Sequence, residues 1–99
     1  MSRSLRVLPR AEAELADAIE WYEGRRKRLG TELLELAREA FERILEAPHQ
    51  LARWRVGRRE YHRLLLDRFP YIVLFTFDDT EVVIVAFAHA RRKPGYWLK

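Results

Sequence analysis

Six consecutive apolar residues, Val82 to Phe87 (VVIVAF), constrain this chain more than any other stretch. Four of them are Val or Ile. A run that short and that β-branched reads as a strand buried on both faces, the centre of a sheet. It then turns polar at once, through His89, Arg91, Arg92 and Lys93 to Pro94, Gly95, Tyr96 and Trp97. Lys93 precedes a proline and is pushed toward an extended or turn conformation, so a loop or short tail follows the strand. A central strand that delivers three consecutive cations and two aromatics to its end is a rigid mount for a surface that grips something anionic. The alternative is a solvated basic tail whose Tyr96 and Trp97 fold back over the sheet.

A central strand needs neighbours. Arg3 to Leu8 reads as a first strand, ended by Pro9, which can serve as the first residue of a helix. That helix runs to about Lys27. Glu12 and Glu14 lie near its positive end, and Leu15, Ile19 and Tyr22 recur at helical spacing. Arg25, Arg26, Lys27 and Arg28 suit its C-terminal dipole and are read as a solvated helix end first, a contact patch second. Gly30 breaks the pattern, and Thr31 is the expected N-cap of a second helix. Its stripe is Leu33, Ala37, Ala40, Phe41 and Ile44, and Pro48 ends it near Glu46.

Strands are expected at Arg53–Val56, Glu60–Leu66 and Tyr71–Phe77. Asp78, Asp79 and Thr80 make a tight hairpin into the strand from Glu81. Turns this short make antiparallel neighbours, and the first strand should lie beside the last. The expected architecture is therefore α+β, one domain over residues 1–99. It is a two-layer β-α-α-β-β-β(-β) sandwich, a mainly antiparallel sheet covered on one face by an α-hairpin with the other face partly open. The expected core sets Leu15, Ile19, Tyr22, Leu33, Ala37, Phe41 and Ile44 against Val73, Phe75, Val83 and Val85.

The chain of 99 residues carries a formal net charge of +4, and the excess is uneven. Residues 1–50 hold 9 Lys+Arg and 10 Asp+Glu, and residues 51–99 hold 10 and 5, so all of the surplus lies in the second half. That asymmetry points to an acidic partner, either nucleic acid or an acidic protein segment. The chain has no cysteine, no signal-peptide h-region and no membrane-length apolar run. A cytoplasmic protein without a membrane partner is expected.

Several chemistries lack their residues. Glycines 24, 30, 57 and 95 never cluster into a phosphate loop. His49, His62 and His89 lie on different elements without ligand spacing, so neither metal nor cofactor is expected. Ser2 and Ser4 are the only serines and sit at the terminus, which sets aside serine-nucleophile hydrolysis. Metal-free RNA cleavage stays open. His62, Arg63, His89, Arg91 and Tyr96 offer the base, the cations and the acid that it needs. The blander reading is that both histidines are ordinary sheet residues and the arginines only bind.

The terminal stretch His89-Ala-Arg91-Arg92-Lys93-Pro94, closing with Tyr96-Trp97, resembles the C-terminal signature of the RelE/ParE superfamily of bacterial toxins, on the ParE side. The resemblance extends to the proline-started first helix with Trp21-Tyr22, the second helix through Phe41 and Ile44 to Pro48, and the Tyr71–Phe75 strand. It implies the same β-α-α-β sandwich, a role as the plasmid-stabilising toxin of a type II toxin–antitoxin pair, and a cognate acidic antitoxin. Arg91, Arg92, Lys93, Tyr96 and Trp97 would then bind the target or the antitoxin. RelE-like members cut mRNA on the ribosome with an arginine in the strand equivalent to Tyr71–Phe75, where this chain has Ile72 after Tyr71. ParE-like members instead poison DNA gyrase by direct binding. The resemblance thus implies a gyrase inhibitor with no catalytic residues. A ribosome-dependent mRNA endonuclease and a non-toxic antitoxin-binding module are the alternatives.

Overall fold

The computed structural model describes residues 3–98. Leu8 is extended, with φ −67° and ψ 149°, and Pro9 opens the first helix, α1 (Pro9–Arg25). Strand β1 (Ser4–Val7) precedes it. The second helix, α2 (Leu29–Glu46), is followed by a 3₁₀ turn that begins at Pro48. Four strands complete the order: β2 (Ala52–Val56), β3 (Arg59–Leu65), β4 (Tyr71–Phe77) and β5 (Glu81–His89). They form one sheet in the order β1-β5-β4-β3-β2. β1 is parallel to β5, and the other three pairings are antiparallel. The expected α+β sandwich and the place of the first strand beside the last both hold. Among the described residues, no helix is long and apolar enough to cross a membrane.

The core between helices and sheet differs from the expected one in parity. Leu33, Ala37 and Ile44 of α2 and Ala11 and Ala18 of α1 meet Val73, Phe75, Val82, Ile84 and Phe87. Val82 and Ile84 are fully buried there, and Val83 and Val85 are not. The cause is a β-bulge. Phe75 pairs with Ile84 and Leu74 with Ala86, which leaves Val85 as an extra residue on β5. Beyond it the alternation is reset, so Phe87 returns to the helix side. Phe41 also departs from expectation, because its ring is only half-buried at the edge of this cluster.

The opposite sheet face is less open than expected. Tyr61, Leu74, Ala86, Ala88 and Trp97 form a second buried cluster on it. The chain therefore has two cores of unequal size, one on each side of β4 and β5. That is why these two strands are almost wholly apolar.

Thr31 is not the cap of α2. The helix begins earlier, at Leu29, and its N-cap is Arg28 in the left-handed region at φ 74°. The capping group comes from α1. The Glu23 carboxylate accepts from the Arg28 N–H at 2.9 Å and the Gly30 N–H at 3.0 Å. These bonds, the Arg28 N–H foremost, hold the Glu23 carboxyl below the usual range. Gly30 is inside the helix rather than at its break. A Cβ there would stand 2.5 Å from the Ile19 carbonyl oxygen, so only glycine lets α2 start this close to α1.

Alanine is the better helix former by about 1 kcal/mol, yet Gly30→Ala should destabilise the protein by about 1–3 kcal/mol through overpacking. Urea unfolding measures it. A variant as stable as the parent would contradict this helix contact.

Candidate functional site

The site is built where β5 outruns its neighbour. β1 pairs with β5 only from Glu81 to Ile84, and Leu8 N–H bonds the Ile84 carbonyl at 3.0 Å. Beyond that point, among the described residues, the edge of β5 has no strand beside it, and its N–H groups need other acceptors. α1 provides one. Glu14 Oε1 accepts from the Phe87 N–H at 2.9 Å. Its other oxygen accepts from the Tyr96 hydroxyl and lies 3.8 Å from Arg92 Nη1. The Glu14 side chain is 15% exposed. One carboxylate thus joins α1, the end of β5 and the tail.

The tail turns back on itself. Gly95 adopts φ +90°, in the region that favours glycine, and a Cβ there would meet Val56 Cγ1 at 3.3 Å. A 3₁₀ turn at Tyr96–Leu98 then lays Trp97 on the second sheet face. Its ring centroid lies 5.6 Å from that of Tyr61 and 5.9 Å from that of Trp54, and it is 8% exposed. Tyr96 is half-buried, with the Arg92 guanidinium 3.6 Å from its ring centroid. Its hydroxyl pKa is pushed up, first by burial and then by the bond to Glu14.

These contacts sort the residues expected to bind a partner. Arg91, Arg92 and Lys93 are exposed. Trp97 is packed into the protein by its own tail, and Tyr96 is bonded to Glu14.

The residues considered for RNA cleavage do not converge. His62 lies on the helix side of β3, against Phe75 and Phe77, with its pKa lowered first by burial and then by the Arg53 charge. Arg63 points to the other face, where its guanidinium lies 4.8 Å from the Trp54 ring centroid. His89 stands across β4 and toward its other end, opposite Tyr71, whereas His62 is opposite Phe75. Four residues of strand separate those partners by about 13 Å. His89 Nδ1 accepts from the Arg91 N–H at 3.1 Å, so in the neutral ring the proton is on Nε2. Among the described residues, no group of three His, Cys, Asp or Glu side chains could hold a metal.

What the fold does bring together is a cleft of about 390 Å³ between α1 and the ends of β4 and β5. Glu14, Asp17, Trp21, Tyr71, His89 and Arg92 line it. Trp21 is 53% exposed at its rim. Glu14, Asp17 and Trp21 were not among the residues singled out for binding. The signal for Glu14 is its spacing. With Ala11 and Ala18 it forms an i, i+3, i+7 stripe, and both alanines are buried. A carboxylate on the inward stripe of a helix, between two alanines, needs specific partners.

The sequence matches the family model of the ParE toxin of the type II toxin–antitoxin system parDE over residues 5–94. Among solved structures, the fold is similar to a chain of the chromosomal ParDE toxin–antitoxin system from P. aeruginosa. The TM-score is 0.65 at 18% identity, over 91% of this chain and 98% of that one. No curated protein matches the sequence.

Glu14 and Tyr96 should act as a unit. Glu14→Ala leaves the Phe87 N–H unpaired and should cost about 1–3 kcal/mol, and Tyr96→Phe about 1.5–3 kcal/mol. The double variant should fall short of the sum by at least about 0.5 kcal/mol. Additive losses in chemical denaturation would mean that the tail is held by Trp97 alone.

Proposed function

The chain belongs to the ParE toxin family of type II toxin–antitoxin systems, and from that premise we propose that it acts in the cytoplasm by binding and inhibiting DNA gyrase, without catalysing a reaction, until a cognate acidic antitoxin neutralises it. One observation carries this reading above the others. Arg91, Arg92 and Lys93 are exposed at the end of the central strand, while the residues that would cleave RNA are spread over both faces of the sheet. A nuclease needs its base, acid and cations around one phosphate. A binding toxin needs only a rigid, complementary surface.

The tail also suggests how the antitoxin engages. Its acidic residues would run past Arg91 and Lys93. Trp97 is packed under its own chain, so an apolar anchor would instead seat on Trp21, beside the cleft. Tryptophan and arginine dominate interface hot spots, and rim cations mainly raise the association rate and its salt sensitivity.

Induced expression in bacteria distinguishes the activities. Filamentous cells with an SOS response are expected, and purified protein should block supercoiling by gyrase. Rapid translation arrest with cut mRNA would overturn the proposal in favour of the endonuclease, and no growth effect would leave only antitoxin binding. For the antitoxin, Trp21→Ala should weaken the complex by about 2 kcal/mol or more. Arg91→Ala with Lys93→Ala should slow association and flatten its salt dependence. Unchanged binding in both variants would place the interface elsewhere.

A further inference from the structure

A second basic element lies apart from the tail. Between residues 53 and 63 the chain has five arginines and one glutamate. These residues form the β2–β3 hairpin at the sheet edge, with Trp54 opposite Tyr61, Arg55 opposite Glu60 and Val56 opposite Arg59. Gly57, at φ +63°, and Arg58 make the two-residue turn, a type II′ geometry. β3 meets β4 only from His62 to Leu65, so Trp54–Val56 and Arg59–Tyr61 pair with each other as a two-stranded ribbon.

The cations of this ribbon are differently occupied. Arg53 lies 3.8 Å from Glu60, the hairpin's only acid. Arg63 lies over Trp54. Arg55, Arg58 and Arg59 are exposed, and none has an ion pair or hydrogen-bonding side chain among the described residues. They point three ways. Arg58 is at the tip. Arg59 lies on the face of Tyr61 and Trp97, and Arg55 on the opposite one.

We propose that this ribbon binds duplex DNA, laying its tip in the major groove with Arg55, Arg58 and Arg59 on the flanking phosphates. The groove of B-DNA admits a two-stranded β-ribbon, and cations on both faces and the tip match phosphates on both walls. Unpaired strands fit less well. They are held by aromatic rings that stack on bases, and here Tyr61 is buried and Trp54 is covered by Arg63 and Trp97. With no free side chain of base-reading type at the tip other than arginine, contacts should be largely independent of sequence. The inference stands apart from the gyrase reading, since a toxin with another target would keep the same ribbon.

The test is fluorescence anisotropy of the purified protein with a labelled mixed-sequence duplex of about 20 base pairs, long enough for the major-groove contacts proposed, titrated at several salt concentrations. The logarithm of the binding constant should fall linearly with that of the salt concentration. Arg55→Ser/Arg58→Ser/Arg59→Ser should reduce the slope by about 2.7, from about 0.9 per phosphate contact. Its thermal melt should stay near that of the parent, since all three side chains are exposed. Arg91→Ser/Lys93→Ser should leave duplex binding unchanged. Absence of duplex binding at low salt would overturn the proposal. So would equal binding by the triple variant, loss of binding in the tail variant, or tighter binding to a single strand or to a poly-glutamate peptide than to the duplex.

Discussion

The structure depends on how the bare edge of β5 is covered. β1 has four residues and β5 has nine. A parallel strand that covered all of β5 would have to run on past Pro9, where α1 begins. The chain instead breaks at Pro9 and sends a helix across, and Glu14 meets the first N–H that the short strand leaves open. A carboxylate accepts more than one hydrogen bond, so the same group also holds Tyr96 and attracts Arg92. The tail is positioned by a need that arises in the sheet. Its exposed cations inherit a fixed place because Glu14 and Trp97 hold the residues on either side.

The two sides of the sheet divide the work. Helices cover one face and share the larger of the two buried clusters, and Gly30 and Glu23 bring them into close contact. The other face is closed, among the described residues, by the tail, through Trp97 over Tyr61 and Trp54. The bulge at Val85 connects the two faces, because it turns Phe87 toward the helices and Ala86 and Ala88 toward the tail.

The order of elements and the antiparallel meander were legible because each rests on a local signal: prolines 9 and 48, tight turns and short links. The place of the first strand followed from the meander, whose early edge is remote from it. The parity of β5 was not. A strand buried on both faces shows no alternation, so nothing in VVIVAF marks Val85 as the extra residue. The start of α2 was misread because its capping group, Glu23, belongs to another helix, while Thr31 has the local look of a cap. The cations of the site were legible as a run, but their aromatic neighbours were not. Tyr96 and Trp97 read equally as anchors or as cover until Glu14 and Tyr61 are seen beneath them. The hairpin arginines were diluted in the charge of the whole half-chain; the strand pairing gathers them on one ribbon, and the contacts leave three of them without partners among the described residues.

Glu14 supports both the β5 edge and the tail, and amide exchange at Phe87 tests that most directly. In the parent the Phe87 N–H should be protected nearly as well as the amides of β5 that face β4. In Glu14→Ala it should exchange orders of magnitude faster than those neighbours, while they keep their protection relative to global unfolding. If Phe87 stays as protected as its neighbours in that variant, the edge is covered by something other than this carboxylate, and the positioning of the tail by α1 is wrong.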